Sequence, residues 1–115
     1  MNEVKIQKER AELLERQLEE AAAQMGGDNP QILPTLNLCA EHHLLTKNFD
    51  RAEELFRRSL YLTENESPFN SESVKLAFQK LAWLCEIKDR PDEAHEFFKR
   101  ALEVVENDKS APEDS

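Results

Sequence analysis

Glycine and cysteine are scarce in this chain of 115 residues, and basic side chains are outnumbered by acidic ones. Its two glycines are adjacent, Gly26 and Gly27, so the chain lacks the spaced glycines of a loop that cradles phosphates. The two cysteines, Cys39 and Cys85, are too few for a disulfide framework and favour a reducing, cytoplasmic location. These absences argue against a nucleotide-binding enzyme and against a disulfide-stabilised secreted domain.

Positive charge is also in deficit, because 15 Lys and Arg residues stand against 24 Asp and Glu residues, a formal net charge of −9. Such a chain neutralises few phosphates and is repelled by anionic lipid headgroups, so we expect neither nucleic acid nor a membrane as a partner. No apolar run approaches the roughly 20 residues that a membrane-spanning helix needs. The charged segment 1–10 does not resemble an export signal.

The residues that are abundant, namely Ala, Leu, Glu, Lys, Arg and Gln, favour helices, and no segment alternates as a strand would. The sequence therefore predicts an all-α protein. Glycines, prolines and polar turns separate five predicted helices, at 3–25, 31–46, 51–63, 72–87 and from 91 onward. We predict one domain over 1–107, divided into an N-terminal half-repeat helix (1–27), a first repeat (30–66) and a second repeat (70–107), and followed by a disordered acidic tail (108–115).

An internal repeat appears when the chain is shifted by 42 residues. The segment FDRAEELFRRSL, from Phe49, then falls on PDEAHEFFKRAL, from Pro91. Small residues in the alignment suit the close crossing of two antiparallel helices, and large residues fill the space between successive helix pairs. Because one pair alone cannot bury its apolar face, this spacing predicts stacked helix pairs.

The segments LNLCAEHHLLTKNFDRAEELFRRSL and FQKLAWLCEIKDRPDEAHEFFKRAL resemble tetratricopeptide repeats (TPR), in the 42-residue variety of kinesin light chains. The similarity covers roughly residues 9–106. It departs from the family where Lys47–Asn48 and Asp89–Arg90 replace the glycine before the second helix of a pair, and where His43 and Cys85 replace a tyrosine. The resemblance implies a short α-solenoid, a superhelix of antiparallel helix pairs whose first helices line a concave, peptide-binding groove.

A second apolar line on the fourth predicted helix is the most suggestive surface feature. It contains Leu76, Trp83 and Ile87, with Lys80 between them, and a matching line on the second predicted helix includes Leu38 and Leu45. The alternative is that Trp83 packs against a neighbouring helix. The resemblance implies that both lines face the groove and that one polar residue on each helix, Asn37 on the second and Gln79 on the fourth, contacts the backbone of an extended ligand. The predicted partner-binding groove comprises Asn37, Glu41, Leu45, Leu76, Gln79, Lys80, Trp83 and Ile87.

Two helix surfaces offer an alternative use, self-association. The fifth predicted helix ends the stack, so its outer side could remain uncovered. Our candidates for self-association on this helix are Phe97, Val104 and Val105. The apolar stripe predicted to face the core, which shares two of these residues, consists of Ala94, Phe97, Phe98, Ala101, Leu102 and Val105. The first predicted helix carries a stripe of its own, from Val4 to Met25, which is expected to pack within the chain.

Catalytic and metal-binding patterns receive little support. No Ser or Cys has a His and an acid in a recognisable motif, so no catalytic residue is predicted. Cys39 and His43 lie one helical turn apart, and Cys85 is the repeat equivalent of His43, but a zinc site needs three or four converging ligands. We interpret all three as core residues and expect no metal, cofactor or small-molecule substrate.

The expected function is non-catalytic recognition of a protein or peptide, as an adaptor or co-chaperone-like module. The alternative is a self-assembling, homodimeric structural domain.

Overall fold

A computed structural model describes residues 2–107 of the chain. The predicted all-α class is confirmed, since the described residues form five α-helices and no strand. The helices are α1 (Asn2–Met25), α2 (Leu33–Leu45), α3 (Phe49–Glu64), α4 (Ser71–Ile87) and α5 (Pro91–Glu106), with a short 3₁₀ turn, Pro30–Ile32, before α2. The predicted disordered tail, 108–115, lies outside the described residues. No helix in the described range is both long and apolar enough to cross a membrane.

The chain divides into two compact units, residues 1–62 and 63–115. In the first unit α1 ends where the sequence predicts, at Gly26, whose φ of 96° suits glycine. The side chain of Asn29 then accepts a hydrogen bond from the backbone nitrogen of Gln31 (2.9 Å) and so caps the 3₁₀ turn. The chain thereby reverses, and α2 packs back against α1. Buried apolar residues of this unit include Leu18, Ile32, Leu36, Cys39, Ala40, Ala52, Leu55 and Phe56.

The first helix contributes less to the core than its stripe predicts. Leu18 is its one buried residue in the described part of the chain. Val4 and Met25, at the two ends of the stripe, are 73% and 40% exposed. The prediction that the full stripe packs within the chain is therefore wrong at its ends, and α1 is attached mainly near its middle.

The second unit is a hairpin of α4 and α5. The side chain of Asn70 caps α4 by accepting a hydrogen bond from the backbone nitrogen of Ser73 (3.1 Å), and Pro91 occupies the first turn of α5. The rings of Phe78 and Phe97 join the two helices, with centroids 6.1 Å apart. Buried apolar residues here are Val74, Ala77, Phe78, Leu81, Ala82, Leu84, Cys85, Ala94 and Ala101.

The turns that follow α2 and α4 have the same structure, 42 residues apart. Lys47 and Asp89 have φ angles of 66° and 59°, in the left-handed region. The next residues, Asn48 and Arg90, donate backbone hydrogen bonds five residues back (both 2.8 Å), which completes a Schellman motif at each helix end. The 42-residue repeat is thus also present in the backbone structure. Lys47 and Asp89 lie where tetratricopeptide repeats usually have a glycine, and glycine adopts the left-handed conformation of these positions without strain.

Glycine at these two positions is expected to stabilise the protein. A non-glycine residue in the left-handed region costs roughly 1–2 kcal/mol, of which glycine's larger entropy in the unfolded chain offsets about half. Lys47→Gly should therefore raise the free energy of unfolding by up to about 1 kcal/mol, and Asp89→Gly by less, because Asp tolerates this conformation better. Urea unfolding of both variants measures the change; a loss of stability in Lys47→Gly would contradict the expectation.

Candidate functional site

The second apolar line of α4 lies on the protein surface. Leu76, Trp83 and Ile87 are 50%, 50% and 52% exposed, so Trp83 is not a core residue of its own unit. Lys80 lies between them on the same face, because it follows Leu76 by four residues and precedes Trp83 by three. Three large apolar side chains on one solvent-facing line form a contact surface that the core of the second unit does not use.

The matching line on α2 takes part in a cleft that the sequence did not predict. Leu38 is 55% exposed and Leu45 81%. Together with Glu41 they form one wall of a largely apolar cleft of about 320 Å³, and α1 forms the other wall. The lining residues are Arg10, Leu13, Leu14, Leu38, Glu41, His42 and Leu45. Of the predicted groove residues, Glu41 and Leu45 therefore lie beside α1.

The two polar residues predicted to act alike have different surroundings. Asn37 accepts a hydrogen bond through its Oδ1 atom from the Ser59 hydroxyl (2.6 Å), which links α2 to α3. Gln79 instead lines a cleft of about 300 Å³ between α4 and α5, with Leu102 and Val105 on the opposite wall. Their role towards an extended ligand stays a prediction.

The self-association candidates on α5 differ in exposure. Phe97 packs against Phe78 and is partly buried, and Val104 is partly buried in a cleft of about 470 Å³ beside Phe69. Val105 is 38% exposed, although it also belongs to the stripe that was predicted to face the core. Leu102 is 68% exposed, so its predicted place on the buried stripe is wrong. The exposed apolar surface of α5 is formed by Leu102 and Val105 more than by Phe97 and Val104.

A polar cluster in the first unit joins its three helices. Glu15 of α1 accepts two hydrogen bonds from the guanidinium of Arg51 at the start of α3: Nε to Oε2 and Nη2 to Oε1, both 2.7 Å. Such a two-point pair fixes both position and orientation. These hydrogen bonds hold the pKa of the Glu15 carboxyl at about 2, below its ordinary 4.5, although partial burial acts in the opposite direction. The same pairing raises the pKa of Arg51.

His43 of α2 extends this cluster into the core. Its ring is nearly buried, and Nε2 lies 2.9 Å from Oε2 of Glu15. The amide nitrogen of Asn48 lies 3.2 Å from Nδ1 and can only donate. Nδ1 therefore accepts, Nε2 carries the proton and donates to Glu15, and both ring nitrogens have partners. No buried side-chain nitrogen or oxygen lacks a hydrogen bond in residues 2–107.

Glu15, Cys39 and His43 have the donor types of a zinc site, and their ligand atoms lie within 4.8 Å of one another. Two observations oppose metal binding. Both carboxylate oxygens of Glu15 already bind the cationic Arg51. Burial, reinforced by the negative charge of Glu15, raises the pKa of the Cys39 thiol to about 11, which disfavours the thiolate that a metal needs. The cluster is better suited to fastening α1 to α2 and α3.

Glu15 and Arg51 were not predicted as site residues, because charged residues on amphipathic helices usually face solvent. One signal was present. Glu15 lies four residues after Ala11 and three before Leu18, so it belongs to the face of α1 that packs against the chain. A carboxylate on such a face predicts a cationic partner.

Comparison with protein-family models and with curated protein sequences gave no match to this chain.

Proposed function

We propose that this protein is a non-catalytic recognition module of the tetratricopeptide type, an adaptor that binds a peptide or helix of a partner protein. The observation that carries the proposal is the exposed apolar line Leu76, Trp83 and Ile87 on α4. Tryptophan is enriched at binding hot spots, because its ring buries a large area with few rotatable bonds. A cytoplasmic location belongs to the proposal and is supported by the two free, buried cysteines.

The 42-residue repeat supports the family part of the proposal. Two helix pairs end their first helices with the same turn, and the small residues Ala40, Ala52, Ala82 and Ala94 are all buried. In the family, the first helices of the pairs form the binding surface, and α4 occupies that place in the second repeat. Apolar side chains would supply affinity, and Lys80 would orient the ligand.

Peptide selection tests this proposal, because a random display library contains candidate ligands of every sequence class. The library is selected on the full chain, and labelled binders are titrated by fluorescence anisotropy. We expect Trp83→Ala to weaken the selected peptides by at least about 30-fold, the size of a hot-spot truncation.

Tyr61→Ala is the matched control, because Tyr61 is an aromatic residue of similar exposure (56%) on α3. It should change affinity by less than about twofold. Circular dichroism melting of both variants checks that each stays folded. Equal binding of the selected peptides by wild type and Trp83→Ala would exclude the α4 surface.

Self-assembly is the second candidate function, favoured by the exposed apolar residues Val4 on α1 and Leu102 on α5. Light scattering over a concentration series distinguishes the two functions. A monomer at all concentrations leaves both surfaces open for partners, whereas a stable dimer would show that one of them serves assembly.

A further inference from the structure

The cleft between α4 and α5 has the form of a helix-packing surface that is left open. Phe98, Ala101, Leu102 and Val105 line it on the α5 side, and Lys75 and Gln79 on the α4 side. Its volume is about 300 Å³. The lining is predominantly apolar, and the residue that projects furthest, Leu102, is 68% exposed. This surface is distinct from the exposed apolar line of Leu76, Trp83 and Ile87 on α4. Of the residues that line the cleft, only Gln79 also belongs to the predicted groove.

The 42-residue repeat gives each residue of this surface an equivalent residue in the first repeat, so their exposure can be compared. The equivalents of Phe98 and Val105 in the first repeat are Phe56 and Thr63, which are 1% and 4% exposed. The equivalent of Leu102 is Leu60, which is partly buried. All three residues of α5 are thus more exposed than their equivalents in α3, although Phe98 is itself partly buried. Because stacked repeats bury these positions against further helices, an occupant of the open cleft should be helical.

The chemistry of the lining also favours a helix over an extended peptide. An extended peptide needs hydrogen-bond partners along its whole backbone. The cleft offers three such side chains, Glu106 on α5 and Lys75 and Gln79 on α4, beside four apolar residues of α5. A helix satisfies its own backbone and presents side chains at i, i+3, i+4 and i+7 to an apolar groove.

Charge at one end of the cleft defines the occupant further. Glu106 lines the cleft at the C-terminal end of α5, and the last turn of that helix contains no basic side chain. The negative end of the α5 dipole adds to this charge. At the α4 wall, Lys75 is paired with Glu72 (3.3 Å) and so offers less net positive charge.

We propose that this cleft docks an amphipathic helix of a partner protein, antiparallel to α5, with its basic half beside Glu106. The antiparallel direction brings the positive N-terminal end of the docked helix to the negative end of α5. Leu102, Phe98 and Val105 contact the apolar stripe of that helix. The chain itself carries a net charge of −9, so a basic helix suits this site better than an acidic one.

Two synthetic helical peptides of about 18 residues probe the site in the full-length chain. Both carry the same leucine stripe; one has lysines in its N-terminal half, and the other has glutamates there. We expect the lysine peptide to bind more tightly than the glutamate peptide, with an affinity that falls as salt rises. Leu102→Asp should weaken the lysine peptide at least tenfold, and Glu106→Lys should remove the preference for the lysine peptide.

Leu45→Asp is the matched control, since Leu45 is an exposed leucine on α2, remote in sequence from the cleft. It should change the affinity less than twofold, and Trp83→Ala should also leave it unchanged, which separates this site from the proposed groove. Amide chemical shifts recorded during the titration should move around residues 98–106. Equal losses in Leu102→Asp and Leu45→Asp, or shifts confined to other helices, would overturn the proposal. A wild-type dimer that Leu102→Asp dissociates would also overturn it, by showing that a second copy occupies the cleft.

Discussion

Arg51→Ala is expected to lower the free energy of unfolding by about 2 kcal/mol, a large share of the stability of a domain of this size. The variant removes both hydrogen bonds to Glu15 and leaves a largely covered carboxylate whose other bonded partner is His43. The side chains of Glu15 and Arg51 are 26% and 36% exposed, so solvent screens the pair and the loss should stay below that of a fully buried ion pair. Urea unfolding at neutral pH measures it.

Arg100→Ala on α5 is the control. Arg100 pairs with Glu96 one turn away (3.6 Å), and both side chains are 56% exposed, so this interaction within one helix should be worth about 0.3–0.5 kcal/mol. Arg51→Lys provides a second comparison, because it keeps the charge and loses the two-point geometry. If Arg51→Ala cost no more than Arg100→Ala, the polar cluster would not hold the first unit together.

The contribution of this pair should also depend on pH. The pKa of Glu15 is about 2 in the folded protein, against 4.5 ordinarily, so below about pH 4.5 the unfolded chain takes up a proton before the folded protein does. The stabilisation is therefore fully present above about pH 5 and is lost as the pH falls towards 2. The stability difference between wild type and Arg51→Ala should shrink between pH 7 and about pH 3. A constant difference would mean that the variant acts through packing alone.

Leu18→Ala is expected to cost about 2–4 kcal/mol, the usual range for a buried leucine. Leu18 is 3% exposed and is the one buried side chain that α1 contributes in the described part of the chain. Its loss should loosen α1 before the rest of the protein, because the remaining attachments of this helix are partly exposed. Native-state hydrogen exchange of Leu18→Ala, compared with wild type, should therefore be accelerated more in α1 than in α4 and α5.

Leu13→Ala serves as the comparison, since Leu13 lies on the same helix but is 46% exposed. It should cost less than about 1 kcal/mol and leave exchange in α1 nearly unchanged. Uniformly faster exchange in all five helices of Leu18→Ala would contradict local loosening and indicate that α1 unfolds together with the rest.

Helix positions were largely predictable from local sequence signals. The first predicted helix, 3–25, agrees with Asn2–Met25 because Gly26 ends it, and the fourth, 72–87, agrees with Ser71–Ile87 because Asn70 caps it. The largest differences, of two residues, lie at the starts of α2 and α3. The second helix begins at Leu33, two residues after the prediction, because Pro30–Ile32 form a 3₁₀ turn, and α3 begins at Phe49, two residues before the prediction. The preceding Schellman turn ends at Asn48, whose carbonyl already accepts the first helical hydrogen bond from Ala52, so no linker is left.

The candidate surfaces were less predictable than the helices. Periodicity identified the line of Leu76, Trp83 and Ile87, and it left open whether Trp83 was buried. It placed Leu102 on a buried stripe, because helical spacing describes which residues share a face and not how much of that face a neighbour covers. The cleft between α1 and α2 was missed for the same reason.

The sequence by itself determined the all-α class, the helix ends, the 42-residue repeat and the acidic surface, because each depends on interactions within a few residues or on composition. Only the tertiary structure decided that Glu15, His43 and Arg51 form one cluster, since they come from three helices and their distances depend on packing. It also decided that equivalent positions of α3 and α5 differ in exposure. Repeats with similar sequences have similar local structures, but burial depends on what lies beside each one.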